Sequence, residues 1–113
     1  MFMLHGRLAA HPGKRDELLA ILAEGEKAAP MPGCRLYVVA VDAEDPDGVW
    51  ATEIWESPEA HQASLQIEGV RERIGRAMPL IDMSGMRQQK LEAIAGVPAG
   101  TGGPLGADSE TRL

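Results

Sequence analysis

Cysteine is almost absent: Cys34 is the single thiol in 113 residues. One thiol cannot close an intrachain disulfide. The three scattered histidines, His5, His11 and His61, offer no close ligand cluster for a structural metal. Both features fit a reducing cytoplasm. Basic residues are also in short supply, 11 Lys and Arg against 17 Asp and Glu for a net charge of −6. They are dispersed, so the clustered positive field that a nucleic-acid partner requires is missing. No apolar run approaches the roughly 20 residues of a membrane span, and the start MFMLHGRL has no extended apolar segment with a cleavage signature. These absences lead to the expectation of a soluble cytoplasmic protein with neither a nucleic-acid nor a membrane partner. What is present, 44% hydrophobic residues, suits one domain with a core small enough that self-association would help stabilise it.

The opening MFMLHGRLAA alternates, with Phe2, Leu4, Gly6 and Leu8 on one side and Met3, His5, Arg7 and Ala9 on the other, which predicts a strand with one apolar face. After the turn HPG, Leu18, Leu19, Ile21 and Leu22 recur at helical spacing opposite Asp16, Glu17, Glu24 and Lys27, predicting an amphipathic helix over residues 14–28. Pro30 and Pro32 stop it. CRLYVVAVD reads as a strand whose two alternating sets, Leu36, Val38, Ala40 and Tyr37, Val39, Val41, are both apolar, so neither face expects water. AEDPDG then turns the chain into a hairpin. The returning strand, residues 49–55, puts Glu53 and Trp55 on one side and Trp50, Thr52 and Ile54 on the other.

Ser57 is a good N-cap and Pro58 a good first helical residue. Ala60, Ala63, Ile67, Val70, Ile74 and Ala77 then step by three and four along one stripe, with Gly69 as a point where the helix can split and Pro79 as its end. Residues 83–91 are expected to form a last strand, although their Arg-Gln-Gln-Lys centre would also suit a helix. The predicted fold is α+β, a ferredoxin-like β-α-β-β-α-β domain over residues 1–94 with an antiparallel sheet. Residues 95–113, rich in Gly and Pro with few bulky apolar groups, are expected to form a flexible tail.

Two helices cover only one face of such a sheet. Leaving the other face, carrying one of the two apolar sets of the second strand, in water would exceed what soluble monomers usually expose. A homodimer through sheet faces, two-fold and isologous, is the simplest closed solution.

GRLAAHPGKRDELLAIL followed by PGCRLYVVAVDAEDPDGVWATEIWESPEAH resembles the antibiotic biosynthesis monooxygenase family of small dimeric α+β barrel proteins, over residues 1–91. The resemblance rests on the strand-PG-helix opening, the PGC before the second strand, the aspartate-rich hairpin and ExWxSPEA at residues 53–60. It implies pairing as a dimeric α+β barrel and a small aromatic ligand. Family activities include quinol and anthrone oxygenation without metal or flavin, haem degradation and isomerisation of a signal molecule; some members have no known activity. Fold does not choose among them. Three departures stand out in this sequence. Ser64 occupies the place of a family histidine three residues beyond His61. Gly6 falls at the strand-one asparagine of the haem-degrading branch, whose Trp matches Trp55. Ala51 replaces the asparagine four residues before that Trp in the anthrone-oxygenase branch.

Cofactor-free oxygenation needs a dry cavity, a base and orienting donors around a substrate that can itself reduce dioxygen once deprotonated. The catalytic candidates are His61 and Glu53, because imidazole changes protonation near neutrality and a carboxylate beside it can accept a proton or be paired with an Arg or a helix N-terminus. His61 nevertheless stands about 100° round the wheel from Ala60, off the apolar stripe and toward solvent. Substrate-binding candidates are Trp55, which could stack on an aromatic ligand or fill the sheet-helix corner, together with Ser64, Tyr37 and Trp50. For Ser64 the competing fate is a backbone carbonyl; for Tyr37 and Trp50 it is interface packing. His5 and Arg7 are expected to pair across an interface, and Cys34 to be a small buried residue. No metal or cofactor is expected. The functional expectation is a cofactor-independent monooxygenase acting on a quinol-like or polycyclic phenolic molecule. The alternatives are a non-catalytic binder of an aromatic metabolite or haem, and a structural or regulatory dimer.

Overall fold

The computed structural model describes residues 1–27 and 31–98. Strand β1 (Phe2–Ala10) leads into helix α1 (Arg15–Ala23); β2 (Cys34–Val41) and β3 (Gly48–Trp55) form the hairpin; helices α2 (Pro58–Ser64) and α3 (Glu68–Ala77) make the second crossover to β4 (Ile81–Glu92). Short 3-10 turns, Glu24–Lys27 and Met78–Leu80, extend α1 and α3. All strand pairs are antiparallel, in the order β2-β3-β1-β4, and the sheet stays open at its two edge strands. This is the α+β ferredoxin-like arrangement expected from the sequence. The predicted last strand is longer than residues 83–91, and its Arg-Gln-Gln-Lys centre is an exposed edge. Of the expected tail, residues 99–113 lie outside the described residues. No helix among the described residues is long and apolar enough to cross a membrane.

Strand register assigns the two faces. Phe2 pairs with Trp55, Leu4 with Glu53 and Leu8 with Val49, while Tyr37 and Val39 lie beside Glu53 and Ala51. This face meets the helices. Leu18 and Val49 are fully buried there among Ala10, Ala77, Leu80 and Ile81; burial of such a side chain is worth about 1.5–3 kcal/mol. The opposite face carries Met3, His5 and Arg7 of β1, Trp50, Thr52 and Ile54 of β3, and Leu36, Val38 and Ala40 of β2. Val38 remains 45% exposed on it and Leu91 41%. The set of the second strand that lacks helix cover is therefore Leu36, Val38, Ala40. Two-sided burial of β2 is not what the single chain achieves, since Tyr37 and Val41 are also exposed on the helix side. The physical reason is that β2 is an edge strand with only one hydrogen-bonded neighbour.

The centre of the open face is polar. The His5 imidazole lies 3.0 Å from the Thr52 hydroxyl and stacks on Trp50 at 5.3 Å between ring centroids. Arg7 pairs with Asp45 and donates to the Gly85 carbonyl at 3.2 Å. The Trp50 indole donates to Asp42, 2.9 Å away, and two backbone amides of the hairpin turn, from Glu44 and Asp45, donate to the same side chain. Those donors hold the Asp42 carboxyl down at about 2.

Two glycines mark places where chain meets chain. Gly33, at φ 81°, opens β2 so close to α2 that a Cβ would fall 2.7 Å from that of Ala60. At Gly6 a Cβ would stand 2.5 Å from the Arg87 carbonyl oxygen of β4.

The second crossover departs from a single stripe of residues. Ser57 caps α2 as expected, its hydroxyl accepting from the Ala60 amide at 3.1 Å, with Pro58 in the first turn. The helix ends seven residues later. Amides of Leu65, Gln66 and Ile67 bond to carbonyls three residues back, which tightens the backbone, and Ile67 turns extended before α3 begins. The break precedes Gly69 and resets the helical phase. As a result Ala63, Ile67 and Ile74 of the predicted stripe are exposed and Ser64, outside it, is buried, whereas Ala77 is buried as the stripe predicts.

Candidate functional site

Between the helix face of the sheet and the crossover helices lies a cavity of about 330 Å³. Its walls are mainly apolar, from Leu8, Ile21, Leu22, Val70, Ile74 and Met86, and its polar groups come from Tyr37, Glu53, His61, Ser64 and Arg73. The volume falls at the lower end of the roughly 300–1,000 Å³ of small-molecule sites, and an apolar wall with a few convergent polar groups is their usual composition.

The corner at residues 53–61 supplies the chemistry. Strand alternation puts Glu53 and Trp55 on the same side, and the Trp55 indole N–H donates to Glu53 Oε1 at 2.9 Å. Ser57 and Pro58 then launch α2 so that His61, one turn in, comes back over the strand end. Its Nε2 lies 3.9 Å from the same Glu53 oxygen, and its ring meets the Trp55 ring at 5.4 Å, edge to face. Phe2 flanks it at 6.1 Å. The side chains of His61 and Glu53 are 17% and 16% exposed. At 3.9 Å the pair is too long for a hydrogen bond yet close enough for an ion pair once the imidazole is protonated.

This corrects the helical-wheel expectation for His61, which turns inward. The wheel treated residues 58–77 as one helix whose stripe is centred on Ala60 and Ala63; α2 ends at Ser64, and its inner face centres on His61 and Ser64 instead. Among the described residues Glu53 pairs with neither an arginine nor a helix N-terminus. Its described partners are the indole donor and the imidazole.

Trp55 is 0% exposed and sits at the back of the cavity, so it fills the sheet-helix corner and fixes Glu53, and offers no open face for stacking. Ser64 is buried and donates to the His61 carbonyl at 2.6 Å, which commits its hydroxyl proton to the backbone. Tyr37 keeps 42% of its surface, but its phenolic end is crowded enough that burial, with the Glu53 charge, pushes the hydroxyl up to about 12. It stays a neutral donor. Trp50 lies on the opposite face, in register with Arg7 and Ala40, and does not reach this cavity. Cys34 is half-buried, and burial pushes its thiol up, away from reactivity. Among the described residues no group of three or more His, Cys, Asp or Glu side chains is placed to hold a metal ion.

Arg73, on α3, is the lining residue that the sequence did not announce. Charged positions on an amphipathic helix read as its wet side, yet Arg73 flanks Val70, Ile74 and Ala77 of α3, which line the same cavity. The remaining signal was its spacing, one turn beyond Val70, which the predicted stripe did include.

The model of the antibiotic biosynthesis monooxygenase family matches residues 1–75. A proposed antibiotic biosynthesis monooxygenase from Chloroflexus aurantiacus is 44% identical and superposes with a TM-score of 0.78, over 88% of this chain and 98% of that one. A second such protein, from Deinococcus radiodurans, is 25% identical with a TM-score of 0.70, over 88% and 98% of the two chains. SnoaB of Streptomyces nogalater, a cofactor-independent oxygenase whose N63A mutant structure is similar, shares 16% identity at a TM-score of 0.69, over 87% and 97%, and so shares the fold. No curated protein sequence matches. Family model and 44% identity together settle the relationship: the chain belongs to the antibiotic biosynthesis monooxygenase family.

Proposed function

We propose that the chain is a cofactor-independent monooxygenase that oxidises a quinol-like or polycyclic phenolic molecule in the cavity beside Glu53 and His61. The observation that carries this reading is a carboxylate and an imidazole 3.9 Å apart, each mostly buried, in the wall of an otherwise apolar cavity. His61 accepts the proton of the substrate hydroxyl, or of an activated ring C–H. Glu53 offsets the imidazolium that forms, and Trp55 holds Glu53 in place. The electron-rich anion reduces dioxygen, a peroxide forms at a ring carbon, and its collapse to a carbonyl releases water. One oxygen atom enters the product and the other leaves as water, with both electrons supplied by the substrate. Apolar walls favour this by excluding bulk water from the anion and the peroxide.

Oxygen uptake by metal-free protein with a panel of hydroquinones and anthrones tests the reading. Substrate-dependent uptake with release of a quinone that carries one added oxygen atom is the expected result. Uptake no faster than in buffer across the panel would sink it. Binding of the same compounds without uptake would favour the alternative, a non-catalytic binder, which the replacements at Gly6, Ala51 and Ser64 motivate.

The same proposal includes a homodimer through the open sheet face. Leu36 and Val38, with Met3 and Leu91, would be covered there, and His5 and Arg7 would lie at its polar centre. A standard interface of about 800 Å² per partner would suffice at about 25 cal/mol per Å² of apolar area, against the cost of association. Light scattering at micromolar concentration is expected to return twice the chain mass, and Val38→Glu to return a single chain. A folded wild-type monomer under those conditions rules the interface out.

A further inference from the structure

Four arginines are committed among the described residues. Arg7 holds Asp45, Arg15 the carbonyls of Asp42 and Asp45, and Arg35 the Glu56 carboxylate. Arg76 spans Glu24, through contacts of 2.9 and 2.5 Å, and Glu72. Arg73, nearly one turn earlier on the same helix, is half-buried and makes no hydrogen bond or ion pair among the described residues. The Glu24 carboxylate, which feels the charge of Arg73, is already taken, since both of its oxygens accept from Arg76. A partly desolvated guanidinium without an acceptor is costly, and such groups are normally compensated. Arg73 lines the cavity, together with Tyr37. The phenol lies within electrostatic reach of both Arg73 and Glu53, and it remains a neutral donor. The polar groups thus divide by role: an accepting pair, Glu53 and His61, and a donating pair, Arg73 and Tyr37.

Resting on the reading of this cavity as a site for a hydroxylated aromatic, we infer that its ligand carries a carboxylate that Arg73 and Tyr37 bind, while the reacting hydroxyl faces His61 and Glu53. The planar fork of a guanidinium matches a carboxylate in two-point fashion, and charge-assisted hydrogen bonds of that kind are about twice as strong as neutral ones. Arg73 is then the residue that selects hydroxyaromatic acids over neutral quinols.

Calorimetric binding without oxygen separates this from catalysis, using 2,5-dihydroxybenzoic acid and its methyl ester as a pair differing in one charge. The wild-type protein is expected to bind the acid about tenfold or more tightly than the ester, the range of one charge-assisted contact. Arg73→Gln should abolish that preference. Arg71→Gln, which removes the same charge from an exposed position on the same helix, should retain it. Arg73→Lys should keep part of it. Circular dichroism and thermal unfolding confirm that the variants fold. Equal affinity for acid and ester, or an acid preference that survives Arg73→Gln, overturns the inference and leaves the cavity reading standing. No binding of either compound at millimolar concentration counts against both.

Discussion

His61→Ala is expected to lower substrate-dependent oxygen uptake by about 10²–10⁴-fold, the contribution of a positioned general base, with little change in fold. The imidazole lies on the inner face of a seven-residue helix, where it meets the rings of Trp55 and Phe2, so its removal sacrifices about 0.5–1.5 kcal/mol per aromatic contact. Glu53→Gln provides the companion measurement. The amide oxygen can still accept the Trp55 N–H, so the corner keeps its shape, but the negative charge 3.9 Å from the imidazole is gone. Turnover should fall less than in His61→Ala. An oxygen electrode with the best substrate of the hydroquinone and anthrone panel reads both variants. Wild-type rates in His61→Ala would remove the imidazole from the chemistry.

Trp55→Ala should cost about 3–5 kcal/mol of stability, as removal of a large buried aromatic does. Trp55 is fully buried, bridges β3 and α2, and is, with Leu18 and Val49, among the largest fully buried side chains of the described residues. Denaturant unfolding at fixed protein concentration measures the loss, the fixed concentration being needed because dimerisation would make apparent stability depend on it. Trp55→Phe separates volume from hydrogen bonding. It retains most of the packing and should lose far less stability than Ala, yet it removes the donor that orients Glu53, so turnover should fall while the fold survives. If Trp55→Phe reacts as fast as the parent, the indole N–H has no part in positioning the carboxylate.

Strand parity was legible, and it located much of the site. Alternation in GVWATEIW puts Glu53 with Trp55 and turns Trp50 away from them, and the register agrees. The start of α2 was equally plain, because Ser57 and Pro58 specify a cap by local chemistry alone. The direction of His61 was not legible. It depends on where α2 ends, and the i−3 bonds at residues 65–67 have no marker in the sequence comparable to a proline. Arg73 was hidden for a different reason, since a charged residue beside an apolar stripe is assigned to solvent by its type. The partner of Glu53 was missed because a carboxylate calls first for a cation, whereas here an indole two residues away on the same strand face supplies the donor.

The close approach of β4 to β1 at Gly6 also limits what this scaffold can become. An asparagine there is what the haem-degrading branch would need, and any side chain at that position must first displace the Arg87 carbonyl from a spot 2.5 Å from the new Cβ. Placing a side chain there would therefore take more than one codon: the edge of the sheet would have to be re-laid before the residue could be accommodated.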